Sequence, residues 1–143
     1  IADHVPWTRV VEERVTEYDG REIDLIPSIL DHRERVLLKP NDAYGGEGIV
    51  LGWDVDGSTW ERAVEAAVRE PFVVQERVRI PSEPYPSLID GRVEWIDRQQ
   101  DTDPYGAFGG HLQGILTRIS TANLINVTAG GGSTIPTFLV EPR

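Results

Sequence analysis

The alternation of apolar and polar stretches predicts a series of short elements between residues 36 and 76. Val36, Leu37 and Leu38 form an apolar run that ends at Lys39 and Pro40, which is typical of a buried strand. The following loop, residues 41–48, has Gly at three of its last four positions, and the apolar pattern resumes over residues 49–51. We therefore predict a hairpin with a glycine-rich connection.

A helix is predicted directly after this hairpin. Ser58 is a suitable N-cap residue, and Glu61 three residues later would complete a capping box. Apolar side chains then recur at helical spacing until Pro71 ends the pattern: Trp60, Val64, Ala67 and Val68. The β-rich run over residues 72–75 predicts a further strand, so the predicted order is strand, glycine loop, strand, helix, strand.

The pattern before residue 36 is less regular. Pro6 excludes a helix interior near the start, and residues 1–20 leave a surface helix and a covering arm both open. Residues 22–31 carry apolar side chains at spacings of three and four, which predicts a short amphipathic helix. Pro27 limits this prediction, because it removes one intrahelical bond unless it lies in the first turn.

From Arg79 onward the sequence indicates short strands and turns. We predict an irregular crossing over the prolines of residues 81–86, strands over 92–97, 112–120, 124–128 and 138–140, and loops over 101–104 and 106–110. The predicted fold class is α+β, with an N-terminal arm or helical segment (1–35), antiparallel strands with a Gly-rich hairpin loop and one packed helix (36–80), and a mostly antiparallel β region of the same domain (81–143).

Composition narrows the classes of partner. The chain of 143 residues has 14 basic and 24 acidic side chains and a net charge of −10, which argues against a general nucleic-acid or membrane-surface binder. It has no Cys, which excludes disulfides and thiolate metal sites and fits a cytoplasmic protein. It also has no Met and begins at Ile1, so we expect a fragment of a longer chain.

Lys39 stands out because it is the only Lys, and the first Gly of the glycine-rich loop, which we call the glycine loop, follows it by six residues. Such a loop can direct several backbone N–H groups at one anion, and a nearby Lys adds a mobile positive charge suited to phosphate. The order of Lys and Gly residues fits neither a P-loop nor a kinase glycine loop. The residues alone leave open a nucleotide site and a plain hairpin whose Gly residues only provide positive φ.

The wider order of elements resembles the ATP-grasp superfamily, over roughly residues 36 to 140. The specific part runs from Val36-Leu-Leu-Lys-Pro through the glycine loop and helix to the stretch Phe72-Val-Val-Gln-Glu-Arg-Val78. Residues 114–120 and 123–133 look like the circularly permuted branch that is related to glutathionylspermidine synthases. Members of this family are carboxylate ligases that transfer the γ-phosphoryl group of ATP to a carboxylate, after which an amine attacks the acyl phosphate.

This resemblance implies roles for individual residues. Lys39 would contact the α- and β-phosphates, and the glycine loop would cover them as a lid. Gln75, Glu76 and Val78 would form a hinge that meets adenine, largely through main-chain groups. The same residues could instead be the solvated end of a strand. The nucleotide-binding residues implied on this basis are Lys39, Tyr44, Gly45, Gly46, Gly48, Gln75, Glu76, Val78 and Asn126.

Arg118 ends an otherwise apolar run on a predicted strand. Such an Arg either pairs with a buried carboxylate or faces a ligand phosphate, and the resemblance favours phosphate oxygens and a catalytic role. The family also implies Mg²⁺ bound by carboxylates. Asp101 and Asp103 could share a strand face with Asn126 nearby, but Asp-x-Asp-Pro is more typical of a turn. We therefore expect the metal ligands in an N-terminal remainder of the same chain.

The resulting hypothesis is the nucleotide-binding, C-terminal portion of an ATP-dependent carboxylate–amine ligase that works through an acyl phosphate. The carboxylate and the amine are not readable from the sequence, and the fragment alone is expected to be inactive. The alternatives are an ATP-grasp-like binding or interaction module without catalysis, and nucleotide binding used only for regulation. The three His residues show no metal-ligand spacing.

Overall fold

The computed structural model describes residues 4–107, 109–125, 127, 132–138 and 140–141. It divides into two compact units, Ile1–Val78 and Arg79–Arg143. Its two helices lie in the first unit, and neither helix of the described residues is long and apolar enough to cross a membrane. The predicted α+β class with mostly antiparallel strands is confirmed.

The first unit contains a four-stranded antiparallel sheet, a two-stranded hairpin and both helices. The strand order of the large sheet is β1-β6-β4-β5, and β2 pairs with β3. A 3₁₀ turn over Arg33–Arg35 leads into β4. The strands are β1 (Thr8–Val10), β2 (Val15–Tyr18), β3 (Arg21–Asp24), β4 (Val36–Pro40), β5 (Val50–Leu51) and β6 (Phe72–Glu76), and the helices are α1 (Leu25–Asp31) and α2 (Gly57–Arg69).

The core of this unit lies between the helices and one face of the large sheet. Trp60 and Val64 of α2, Ile29 of α1, Leu38 of β4 and Val74 of β6 are all almost completely buried. The Trp60 indole N–H donates to the Ile29 carbonyl at 2.9 Å, which ties the two helices together. Such a bond satisfies a buried polar atom that would otherwise be costly to desolvate.

The N-terminal part of the first unit differs from the prediction. Residues 8–10 and 15–18 form strands and neither a helix nor an arm, because β1 pairs with the distant strand β6. The predicted helix over residues 22–31 begins only at Leu25, since residues 21–24 form β3. Pro27 is the third residue of α1. The N–H groups of the first four helical residues have no intrahelical acceptor, so a Pro at this position costs α1 no hydrogen bond.

The predicted strand, loop, strand, helix, strand order is confirmed over residues 36–76. The N-cap of α2, however, is Asp56 and not Ser58. The Asp56 carboxylate accepts the Thr59 N–H at 2.8 Å and the Ser58 hydroxyl at 2.8 Å. Both residue types are good caps, and here the carboxylate two residues earlier makes the bond to the helix N–H.

The second unit is a four-stranded antiparallel sheet with the order β10-β9-β8-β7. Its strands are β7 (Ser82–Ile89), β8 (Arg92–Ala107), β9 (His111–Ser120) and β10 (Ser133–Ile135). The irregular crossing predicted over residues 81–86 is therefore wrong beyond Pro81. The edge strand β7 pairs only with β8, and an edge can accommodate Pro84 and Pro86.

The loop predicted over residues 101–104 is also wrong, because these residues continue β8 opposite β9. The pairing of β8 with β7 ends at Gln99, which lies opposite Ser82. β8 continues beyond this pair, so at Pro104 its only neighbouring strand among the described residues is β9. Leu124 and Ile125 of the predicted strand over 124–128 are not in a strand. Within the described residues the last strand forms over 133–135, and Phe138 and Val140 of the predicted strand over 138–140 are not in a strand.

Candidate functional site

Lys39 lies on the face of the large sheet opposite to the helices. Along β4, Val36 and Leu38 point into the core, so Leu37 and Lys39 point the other way. Antiparallel pairing aligns Lys39 with Val73, and Leu37 with both Gln75 and Leu51. We call these five side chains, Leu37, Lys39, Leu51, Val73 and Gln75, the outer face. Lys39 is exposed, and none of the ion pairs among the described residues involves it.

The glycine loop leaves the outer face directly from Lys39 and Pro40. Gly45, Gly46 and Gly48 have φ values of +65°, +81° and +71°, which L residues with side chains adopt at a cost. Positive φ values are what the plain-hairpin alternative expects of these Gly residues. Tyr44, at the tip, is 82% exposed.

Gly48 packs directly on the end of the Lys39 strand. A Cβ atom built on Gly48 would lie 2.7 Å from the Cγ atom of Pro40, so only Gly allows this approach. The loop thus folds back over Pro40, the residue next to Lys39. Its N–H groups at Glu47 and Ile49 donate to the carbonyls of Tyr44 and Gly46 at 3.2 and 3.4 Å. The N–H groups of Gly46 and Gly48 donate to no acceptor within the described part of the chain.

The predicted hinge residues Gln75 and Glu76 lie inside the sheet, because β6 is flanked by β1 and β4. The Glu76 N–H donates to the Trp7 carbonyl, and the Arg77 N–H donates to the Arg35 carbonyl, both at 2.8 Å. These two main-chain donors are therefore engaged within the first unit. The Gln75 amide donates to the Thr8 hydroxyl at 3.0 Å, and Val78 is 61% exposed at the end of the unit.

The Glu76 side chain is also engaged. Its carboxylate accepts the Tyr18 hydroxyl at 2.9 Å. Burial, together with this hydrogen bond and the negative charge of Glu76, raises the pKa of Tyr18 above its ordinary value, against a smaller opposite effect of Arg35. Glu76 therefore anchors the β2–β3 hairpin to β6 through a neutral phenol.

Arg118 forms the ion pair that the sequence left open as the alternative. Its Nε and Nη2 donate to the two Asp101 oxygens at 3.0 and 2.6 Å, and Nη2 also lies 2.9 Å from an Asp103 oxygen. The bond to Asp101 raises the pKa of Arg118 further. The Arg118 guanidinium, on β9, is thus held by two carboxylates of the neighbouring strand β8 in the second unit.

The described residues do not fit a Mg²⁺ site. Asp101 and Asp103 do share a strand face, as their spacing suggested, but both face the Arg118 guanidinium. No group of three or more His, Asp or Glu side chains within the described ranges is arranged to hold a metal ion. Asn126 lies outside the described residues.

Sequence reasoning found Lys39 and the glycine loop but missed the apolar part of the outer face, Leu37, Leu51 and Val73. The alternation along β4 would have placed Leu37 beside Lys39. Val73 and Leu51 join them only through the register of β6 and β5, which local patterns do not encode. Comparison with protein-family models finds no matching family, and comparison with curated proteins finds no match.

Proposed function

We propose that the outer face and the glycine loop bind ATP, as part of an ATP-dependent carboxylate–amine ligase that works through an acyl phosphate. The observation that carries the proposal is that Lys39 extends from a partly apolar sheet face at the point where the glycine loop begins. Binding to a nucleotide needs both an apolar surface for the base and placed donors for the phosphates. The outer face and the loop bring these two together.

The donors suit a triphosphate in an acidic chain. With a net charge of −10, the molecule as a whole repels an anionic nucleotide, so binding must rest on a few local groups. Lys39 has no internal anion to compete with among the described residues. The Gly46 and Gly48 N–H groups add neutral donors in backbone conformations typical of anion nests.

The apolar side chains suit the base. Leu37, Leu51 and Val73 are half-buried side chains on one face of the sheet, and they offer apolar surface to a purine ring. The Gln75 amide adds a polar group beside them. Since the N–H groups of Glu76 and Arg77 are engaged, we expect the base to be read by side chains and by the chain beyond Arg77.

Calorimetric titration of the chain with MgATP tests the binding step. We expect Lys39→Ala to weaken binding about tenfold to a hundredfold, because a hydrogen bond to a charged group contributes about 1.5–3 kcal/mol. Lys39→Arg should retain part of the affinity, since it keeps the charge but not the compact ammonium. Arg92→Ala, which removes an exposed cation from the first residue of β8, is the charge-matched control and should bind like the parent.

Equal affinity of the Lys39→Ala and Arg92→Ala variants would overturn the binding proposal. The ligase step is tested separately, by phosphate release from ATP that depends on both a carboxylate and an amine, in the longest chain that contains these residues. Lys39→Ala should abolish that turnover and Lys39→Arg should impair it. Binding without turnover would instead favour nucleotide binding used only for regulation. The absence of both binding and turnover would favour a non-catalytic interaction module, which the Arg118–Asp101 ion pair supports because it engages the side chain expected to be catalytic.

A further inference from the structure

The first unit contains a second candidate binding site, on the other side of β4 from Lys39. A pocket of about 210 Å³ opens between the β2–β3 hairpin, α1 and the start of β4. Its floor is formed by Ile29 and Val36, which are 1% and 5% exposed. An apolar cavity of about 150 Å³ accommodates a benzene ring, so this pocket has room for a ring with a short substituent.

The walls of the pocket are aromatic and fixed. Trp7 and Tyr18 pack edge to face, with ring centroids 4.9 Å apart and an interplanar angle of 69°. The Trp7 indole N–H donates to the Glu17 carbonyl at 2.8 Å, and the Tyr18 hydroxyl donates to Glu76. Ile23 completes the apolar wall. Because both rings are held at their polar ends, their apolar surfaces are already arranged to receive a ligand.

The rim of the pocket is cationic. Arg21, at the start of β3, and Arg35, just before β4, both line it and are exposed. Neither guanidinium makes an ion pair or a side-chain hydrogen bond within the described residues. The acidic rim residue Asp19 forms no ion pair with either of them. His32 also lies at the rim, where one ring nitrogen contacts the Ser28 carbonyl at 2.9 Å.

We propose that this pocket binds a small carboxylic acid with an aromatic body. The ring packs on Trp7, Tyr18 and the apolar floor, and the carboxylate lies between Arg21 and Arg35. A guanidinium is the side chain best suited to bind a carboxylate, since its planar N–H groups match the two oxygens. Two guanidinium groups disfavour an amine ligand by charge repulsion, and a neutral apolar ligand would desolvate them without compensation.

This site is separate from the proposed nucleotide site. Val36 and Lys39 point to opposite faces of β4 and are three residues apart, which is roughly 10 Å along a strand. A carboxylate bound at the rim is therefore not in place to receive a phosphoryl group from a nucleotide on the outer face. The proposal does not depend on ATP binding. A ligand titration of this pocket and the MgATP titration therefore test independent proposals.

Phenylacetate is a suitable probe, with phenylacetamide as its neutral counterpart and acetate as the probe without a ring. In ¹⁵N-resolved NMR titrations of the chain, phenylacetate should shift the Trp7 indole signal with millimolar affinity, typical of a ligand with about ten non-hydrogen atoms. The indole signals of Trp60, which is 1% exposed, and Trp95, in the second unit, should not move. Phenylacetamide and acetate should each bind at least about fivefold more weakly.

The variants Arg21→Ala and Arg35→Ala should each raise the dissociation constant of phenylacetate about threefold to tenfold. Arg69→Ala, at the exposed end of α2, removes the same charge away from the pocket and should have no effect. All three positions are exposed, so these variants should fold. Equal affinity for phenylacetate and phenylacetamide would overturn the proposal that Arg21 and Arg35 bind the carboxylate. No shift of the Trp7 signal at tens of millimolar probe would overturn the site itself.

Discussion

Gly52 provides the most stringent test of the packing in the first unit. A Cβ atom at this position would lie 2.1 Å from the Arg33 carbonyl oxygen and 2.8 Å from the Val36 carbonyl oxygen. Both are backbone atoms, so no side-chain rotation can relieve the contact. Reaching even 3.0 Å requires a displacement of 0.9 Å at the junction of β5 with the 3₁₀ turn before β4.

That displacement would break two hydrogen bonds of Gly52. Its N–H donates to the Val36 carbonyl at 3.2 Å, and its carbonyl accepts from the Arg33 guanidinium at 2.8 Å. A neutral bond contributes about 1 kcal/mol to stability and a bond from a charged donor about 1.5–3 kcal/mol. We therefore expect Gly52→Ala to destabilise the first unit by about 3 kcal/mol, which lowers its Tm by roughly 12–24 °C for a unit of this size.

Gly57→Ala is the matched control, because it makes the same chemical change at the first residue of α2. A Cβ atom there meets nothing within 4 Å, and Ala loses less backbone entropy in a helix than Gly. This variant should be neutral or up to about 1 kcal/mol more stable. Thermal unfolding followed by helical circular dichroism reports on the first unit, since both helices lie in it. Similar Tm values for the two variants would refute the reasoning.

Two further predictions concern carboxylates with defined partners. The hydrogen bonds from the Thr59 N–H and then the Ser58 hydroxyl lower the pKa of Asp56, so this cap stabilises the fold above the ordinary pKa and loses its effect as the pH falls through the lowered one. Asp56→Ala should therefore be less stable than the parent at neutral pH and equally stable in strong acid, as measured by urea unfolding; a gap that persists in acid would contradict this. A double-mutant cycle on Arg118→Ala and Asp101→Ala should give a coupling of about 1–2 kcal/mol in the stability of the second unit, because both side chains are less than a third exposed. Additive losses would show that the pair contributes no stability.

The elements that the sequence predicted correctly are those with a local signal. The apolar stripe of α2 repeats at helical spacing, and the strand pattern before Lys39 stops at Pro40, so each could be read from its own residues. Strand β1 could not be, because its three residues become a strand only by pairing with β6, more than 60 positions away. At residues 101–104 the local turn signal was wrong, since pairing with β9 and the Arg118 ion pair outweigh it.

The same distinction applies to the sites. Lys39 and the glycine loop could be proposed as a site because a single Lys before a glycine-rich loop is visible in the sequence. The pocket beside the β2–β3 hairpin could not, because it joins Trp7, which precedes β1, to residues of β2, β3, α1 and β4 that carry no common motif. Arg21 and Arg35 are two of many Arg residues, and only the packing of the β2–β3 hairpin beside α1 distinguishes them.

Side chains along β4 alternate between the core, where they stabilise the fold, and the outer face, where the proposed ligand binds. Val36 and Leu38 are buried in the core, while Leu37 and Lys39 belong to the outer face. A substitution at Leu38 would therefore reduce nucleotide affinity by unfolding the first unit. Such a loss would not show that Leu38 contacts the nucleotide. Lys39 is exposed and outside every ion pair of the described residues, so its replacement should leave the stability of the unit within about 0.5 kcal/mol. A loss of nucleotide affinity in Lys39→Ala, with unchanged unfolding, can then be assigned to the ammonium group itself.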